Sequence, residues 1–177
     1  MSFSHCKDIV VNSVKITVPR NNPSTDNIHA TSSTNISITS STIGVGNDCV
    51  SIGPGTTKIS VVNVTNLLTL AVSGALKERN VRGVTRKNCT INGTQKSGRV
   101  KTWLGSLPSM AVNMTFQCIV LITVSNPIAI DQEYCPNHTC LNYKPSRVKL
   151  RNIHFSNIKG IYRSKSAVPR VQFQSGL

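Results

Sequence analysis

The chain has 177 residues, enough for one domain with a buried core, and its 38% apolar but 5% aromatic content requires that core to be Ile, Val and Leu rather than rings. Twenty Lys and Arg against six Asp and Glu give a net charge of +14, which calls for an anionic partner. No apolar run is long enough for a membrane-spanning helix. The opening MSFSHCKDIVV lacks the basic-then-apolar order of a signal peptide, and the six cysteines show neither C-x-x-C nor a Cys/His cluster at metal spacing, so neither metal nor cofactor is expected.

Eight of the 20 cations fall in 77–101 and eight more in 144–170. Nucleic acid is the usual partner of such a balance, but no helix-turn-helix, zinc-finger or RNP pattern is present and aromatics do not interleave with the cations. Another anionic polymer meets the same electrostatics, and a solvated basic surface is the plain alternative. Six N-x-S/T sequons, at Asn35, Asn63, Asn88, Asn92, Asn113 and Asn137, hint at secretion.

Apolar residues alternate along the chain and helical spacing is nearly absent, which predicts strands. The first run is Ile9-x-Val11-x-Ser13-Val14-x-Ile16, followed by Ile36-x-Ile38-x-Ser40-Ser41-x-Ile43 and Ile59-x-Val61-x-Asn63-Val64. A fourth reads Val84-x-Arg86-x-Asn88-Cys89-x-Ile91, a fifth Met114-x-Phe116-x-Cys118-Ile119-x-Leu121 and a sixth Val148-x-Leu150-x-Asn152-Ile153-x-Phe155. The shared form is apolar, x, apolar, x, Asn or Ser, apolar, x, apolar; Ser41, Arg86 and Cys118 depart from it. Starting positions 9, 36, 59, 84, 114 and 148 have the period of a solenoid. Spaced leucines and a helix per unit are both missing, so leucine-rich repeats are excluded. β-Branched residues with Asn or Ser at each change of phase predict an all-β parallel β-helix of about six coils, a stack roughly 30 Å long. An antiparallel sandwich with coincidental spacing is the alternative.

Between the runs lie loops with chemistry. Asp26, in STDN, precedes the anchor Ile36 by ten residues, and Asp48, in GNDC, precedes Ile59 by eleven. Stacked coils bring such positions together with Asn47 beside them, and paired carboxylates serve acid and base work. Solvated turn aspartates are the bland reading. In EYCPNHTC, Pro136 and Asn137 supply turn chemistry for a local Cys135–Cys140 disulfide; two reduced thiols in a cytosolic loop are the other option.

STDNIHA, GNDCVSIGPGT, RVKTW and NPIAIDQEYC, in that order, resemble the plant polygalacturonases, glycoside hydrolases that cut pectin. The resemblance covers about residues 6–162. It implies a right-handed parallel β-helix, inverting hydrolysis of α-1,4-galacturonosyl linkages, polygalacturonate as partner rather than nucleic acid or membrane, a monomer, and a secreted cell-wall location. Because the family domain is much longer, the resemblance implies that 1–162 is a partial domain, followed by a divergent tail, 163–177. It assigns Asp26 and Asp48 to holding and activating the attacking water and places Asn47 in the seat of the general acid. An amide there can donate a hydrogen bond but has no proton to give at a useful pKa.

The family's GHG loop would fall in 66–77, which reads NLLTLAVSGALK, with no histidine between His29 and His138. Leu67, Leu68 and Leu70 would then approach the cleft. Asn66 stands where the family has the disulfide partner of Cys49, leaving Cys49 a thiol. Arg99 and Lys101 match the family's RIK cations, which clamp a galacturonate carboxylate, and Tyr134 matches its cleft tyrosine. These departures imply impaired catalysis, with a polygalacturonate-binding remnant or a pseudogene-like fragment as the other readings.

Overall fold

The computed structural model of the chain describes residues 1–17, 27–44, 49–65, 70–74, 79–93, 98–124, 128–135, 144–162 and 170–172. Every regular element among them is a strand. The first coil holds β1 (Ser2–Ser4), β2 (Lys7–Asn12) and β3 (Lys15–Thr17), and the second β4 (Ile28–Thr31), β5 (Thr34–Thr39) and β6 (Thr42–Gly44). Then come β7 (Val50–Ile52) with β8 (Thr57–Val62), β9 (Leu70–Gly74) with β10 (Val81–Asn92), and β11 (Gly98–Trp103) with β12 (Ser109–Val124). The last are β13 (Ala129–Tyr134) with β14 (Val148–Tyr162), and β15 (Arg170–Gln172).

The chain alternates between two large sheets. One is ordered β1-β4-β7-β9-β11-β13-β15 and the other β14-β12-β10-β8-β5-β2, with β3-β6 forming a small third sheet. Every pairing is parallel, for example Ile28↔Val50 and Ile36↔Ile59. Coil stacked on coil in chain order is a parallel β-helix, and the antiparallel sandwich is excluded.

Two columns of left-handed residues run along the β2-β5-β8-β10-β12-β14 sheet. Asp8, Asn35, Lys58, Gly83, Asn113 and Asn152 have φ of 53–69°, and Ser13, Ser40, Asn63, Asn88, Cys118 and Asn157 have φ of 47–55°. A residue with a Cβ loses roughly 1–2 kcal/mol in this conformation, least when a short polar side chain bonds locally. Here such bonds run from coil to coil: Asn35 Nδ2 donates to Asp8 Oδ1 at 2.7 Å and Asn152 Nδ2 to Asn113 Oδ1 at 3.0 Å. In the first four repeats the Asn or Ser expected where the apolar phase shifts, Ser13, Ser40, Asn63 and Asn88, occupies the second of these columns.

The sixth repeat differs from the sequence reading. Met114 pairs with Ile153, Phe116 with Phe155 and Ile119 with Ile158, so the last anchor is Ile153 and not Val148. Asn152 therefore sits in the first corner column and Asn157 in the second.

Inward positions stack into apolar columns, each fully buried aliphatic side chain contributing about 1.5–3 kcal/mol. One runs Ile36, Ile59, Val84, Met114, all buried. Another runs Ile38, Val61, Arg86, Phe116 and Phe155, with the two rings stacked 4.8 Å apart at 13°. Arg86 lies fully inside this column, 0% exposed. Burial pushes its guanidinium below the ordinary arginine pKa, while attraction and a hydrogen bond to Cys89, with a further attraction to Cys49, oppose the shift. Ser41, the other interior exception, is satisfied: its hydroxyl donates to Thr39 O at 2.7 Å and accepts from Val14 N at 3.1 Å. Cys118 is half-buried and takes a corner.

Candidate functional site

The β1-β4-β7-β9-β11-β13-β15 sheet carries the polar residues that the repeat does not require. Its inward row is Ala30, Ile52, Val100 and Ile130, all buried, the first two paired with each other and the last two with each other. Strand alternation then sends the flanking residues outward. On β4 and β7 these are His29 and Ser51, joined Nδ1 to Oγ at 2.5 Å. On β11 they are Arg99, Lys101 and Trp103, with Val100 and Thr102 buried between them.

Alternation alone would turn Tyr134 inward. Ile130 and Gln132 on β13 both face the core, and Gln132 Nε2 donates to Val148 O at 2.9 Å. Tyr134 has the same parity. The register, however, runs Lys101↔Asp131 and then Trp103↔Tyr134, so one residue is added on β13 between these pairs. This β-bulge rotates Tyr134 out of the core side. Its ring meets the β11 side chains: Arg99 Cζ lies 4.3 Å and Lys101 Nζ 4.9 Å from the ring centroid. Trp103 packs edge-on against the same ring, 5.1 Å away at 86°. Two cations held at an aromatic face gain about 0.5–2 kcal/mol each from the ring quadrupole.

Asp131 completes the cluster. Its Oδ2 lies 3.2 Å from Arg99 Nη2, with side-chain exposures of 24% and 11%, so this ion pair is shielded from solvent more than an ordinary surface pair. Its Oδ1 accepts from Glu133 N at 3.1 Å. Among the described residues the cluster sets one carboxylate, that of Asp131, beside two cations and an aromatic surface.

The three substrate-binding residues expected from the sequence, Arg99, Lys101 and Tyr134, are thus in one cluster. Asp26, Asn47 and Asp48 lie outside the described residues, as does Cys140. The residues following the two aspartates are described: Asn27 Nδ2 donates to Cys49 Sγ at 3.7 Å, and Ile28 N donates to Cys49 O at 2.9 Å. Cys49 is a buried thiol and Cys135 is disulfide-bonded. Sequence reasoning did not single out Asp131, Trp103, His29 or Ser51. For Asp131 a signal existed: it is one of only six acidic residues and falls within the NPIAIDQEYC stretch that carries the family resemblance. Among the described residues no three His, Cys, Asp or Glu side chains gather to hold a metal ion.

The fold and this face define a β-solenoid that presents a cationic and aromatic cluster on the outside of one sheet. Residues 1–174 match the model of glycosyl hydrolases family 28, and the chain belongs to that family. It is 42% identical over 168 residues to an exopolygalacturonase of Platanus acerifolia, covering 92% of this chain and 45% of that protein. It is 35% identical to a polygalacturonase of Nicotiana tabacum (95% and 44% covered) and 40% identical to one of Medicago sativa (88% and 38% covered). The chain therefore spans less than half the length of these relatives.

Proposed function

We propose that this protein is polygalacturonase-like, binding polygalacturonate through Arg99, Lys101 and Tyr134, with its hydrolytic step impaired. The observation that carries the reading is the meeting of both cations over one outward tyrosine ring, on the sheet whose β4 and β7 follow Asp26 and Asp48 directly. A galacturonate carboxylate would bridge the cations, and the apolar face of the sugar would lie against the aromatic pair.

The family reaction is inverting hydrolysis: water attacks the anomeric carbon, one carboxylate takes its proton, and an acid protonates the leaving glycosidic oxygen. Asp26 and Asp48 would hold the water. Pairing of Ile28 with Val50 supports this, since each aspartate stands two residues before its paired residue. Asn47 occupies the acid's seat and supplies no proton, which costs on the order of 10²–10⁴ in rate. The apolar 67–72 segment in place of a GHG loop lowers the rate further. The protein acts as a monomer at the cell wall. A purely binding role, without cleavage, is the second reading, favoured by the same amide.

Reducing-end release from polygalacturonate by the parent and by Asn47→Asp, with Asp48→Asn as control, tests the proposal. We expect a very low parent rate that rises in Asn47→Asp, well short of a full family enzyme. An efficient parent would show that Asn47 is no defect. Trigalacturonate should bind more tightly than its methyl ester, and equal affinity for the two at low salt would refute the carboxylate clamp.

A further inference from the structure

We infer that Asp131 is a positioning residue: one carboxylate oxygen holds the β13 bulge that presents Tyr134, and the other holds the Arg99 guanidinium against the Tyr134 ring. The ligand named below rests on the function proposed above; the positioning itself does not.

A bulge leaves an amide without its ladder partner. On β13 the amide of Glu133, between Asp131 and Tyr134, is bonded to Asp131 Oδ1 at 3.1 Å. The extra residue lies between the pairs Lys101↔Asp131 and Trp103↔Tyr134, so this bond spans the irregularity itself. Inside the same turn Gln132 is tied to Val148 O, which anchors the inward side of the bulge. The second oxygen, Oδ2, reaches Arg99 Nη2 at 3.2 Å from the neighbouring strand, and that same guanidinium lies 4.3 Å from the Tyr134 centroid. One side chain therefore links the backbone device that turns the tyrosine with the cation that packs on it.

Simple charge counting makes the opposite prediction. A carboxylate next to Arg99 and Lys101 repels an incoming anion, so its removal should tighten binding of a polyanion. If Asp131 positions the clamp, its removal weakens binding although the site becomes more positive. The two accounts differ in sign.

Trp103 is the one tryptophan of the sequence and touches Tyr134, so its fluorescence reports the cluster without any ligand. The experiment compares the parent with Asp131→Asn, which keeps an oxygen for the Glu133 amide but loses the charge, and Asp131→Ala, which loses both. We expect Trp103 emission and acrylamide quenching close to the parent in Asp131→Asn and clearly altered in Asp131→Ala, with far-UV circular dichroism showing both variants folded. Trigalacturonate affinity should fall about tenfold in Asp131→Asn, the equivalent of one charge-assisted hydrogen bond, and further in Asp131→Ala. Tighter binding in both variants with an unchanged Trp103 signal overturns the inference. If the parent binds no trigalacturonate, the ligand reading fails separately, and the Trp103 signal of folded Asp131→Ala still decides: unchanged, it overturns the positioning role. Should Asp131→Ala not fold, the direction of the affinity change in Asp131→Asn decides, and a gain overturns it.

Discussion

The two large sheets of this solenoid obey different rules. Along β2-β5-β8-β10-β12-β14 each coil repeats its neighbour up to the far end of β12, where the register with β14 shifts between Ile122 and Val124, and one corner column accepts Asp8, Asn35, Lys58, Gly83, Asn113 and Asn152 in turn. Chemistry there is interchangeable because the requirement is a backbone angle. On the other sheet, β11 and β13 depart from the repeat, and the departure depends on particular side chains: Asp131 on the bulge amide, Tyr134 turned out, Arg99 and Lys101 over its ring. The difference teaches that a repeat can be read as scaffold where residues vary at constant geometry, and as candidate site where an irregularity is held by particular polar side chains.

The comparison can be broken most severely in the scaffold. Phe116→Ala removes a ring that is 1% exposed and stacked on Phe155, and should cost about 3–5 kcal/mol in urea unfolding. The Trp103 signal of the remaining folded protein should be unchanged; a shifted signal would mean that the sheets are not separable. Next, Arg86→Met tests the one charge set into the apolar column. A buried guanidinium is costly to desolvate, as its lowered pKa reflects, and an apolar side chain of similar length in its place should be neutral or stabilising by up to about 3 kcal/mol. A lower urea midpoint would show instead that Arg86 holds the coil together. A corner change is milder: Asn113→Ala should cost about 1 kcal/mol, whereas Asn113→Gly should cost little, because glycine accepts φ near 58° without strain. Equal losses for the two would place the effect in the bond to Asn152. The smallest effect on stability belongs to the clamp. Lys101→Ala should shift unfolding by about 0.5 kcal/mol, the low end for one cation–π contact, while trigalacturonate affinity falls at least severalfold, sharpening the division between scaffold and site.

Much of the scaffold was legible because its signals are local. Alternation gave the inward rows, and the Asn and Ser at each phase change gave a corner. The last coil was misregistered for a physical reason. In every coil the two corner columns are five residues apart, as at Asn35 and Ser40 or Asn152 and Asn157. Both corners favour the same small polar residues, so Asn152 passed for the second corner while occupying the first. The site was less legible. Parity places Tyr134 inside, and nothing within IDQEY announces an extra residue; the resemblance to polygalacturonases pointed to it where periodicity could not. Arg86 looked like an error in the repeat and is instead an arginine accommodated in the core.

The corners also explain the sequons. After a left-handed asparagine the strand alternates, so the next residue points inward and the one after it outward. Ile36, Val64, Cys89 and Met114 are buried, and the positions that follow them are Ser37, Thr65, Thr90 and Thr115, none of them buried. Asparagine, inward apolar, outward residue is therefore the order this backbone sets, and where the outward residue is Ser or Thr, unlike His154 after Asn152 or Lys159 after Asn157, the triplet is also the acceptor signature for N-linked sugar. Four of the six sequons, at Asn35, Asn63, Asn88 and Asn113, arise in this way. An enzyme of the secretory route meeting this chain would find these four acceptor sites already spaced one coil apart.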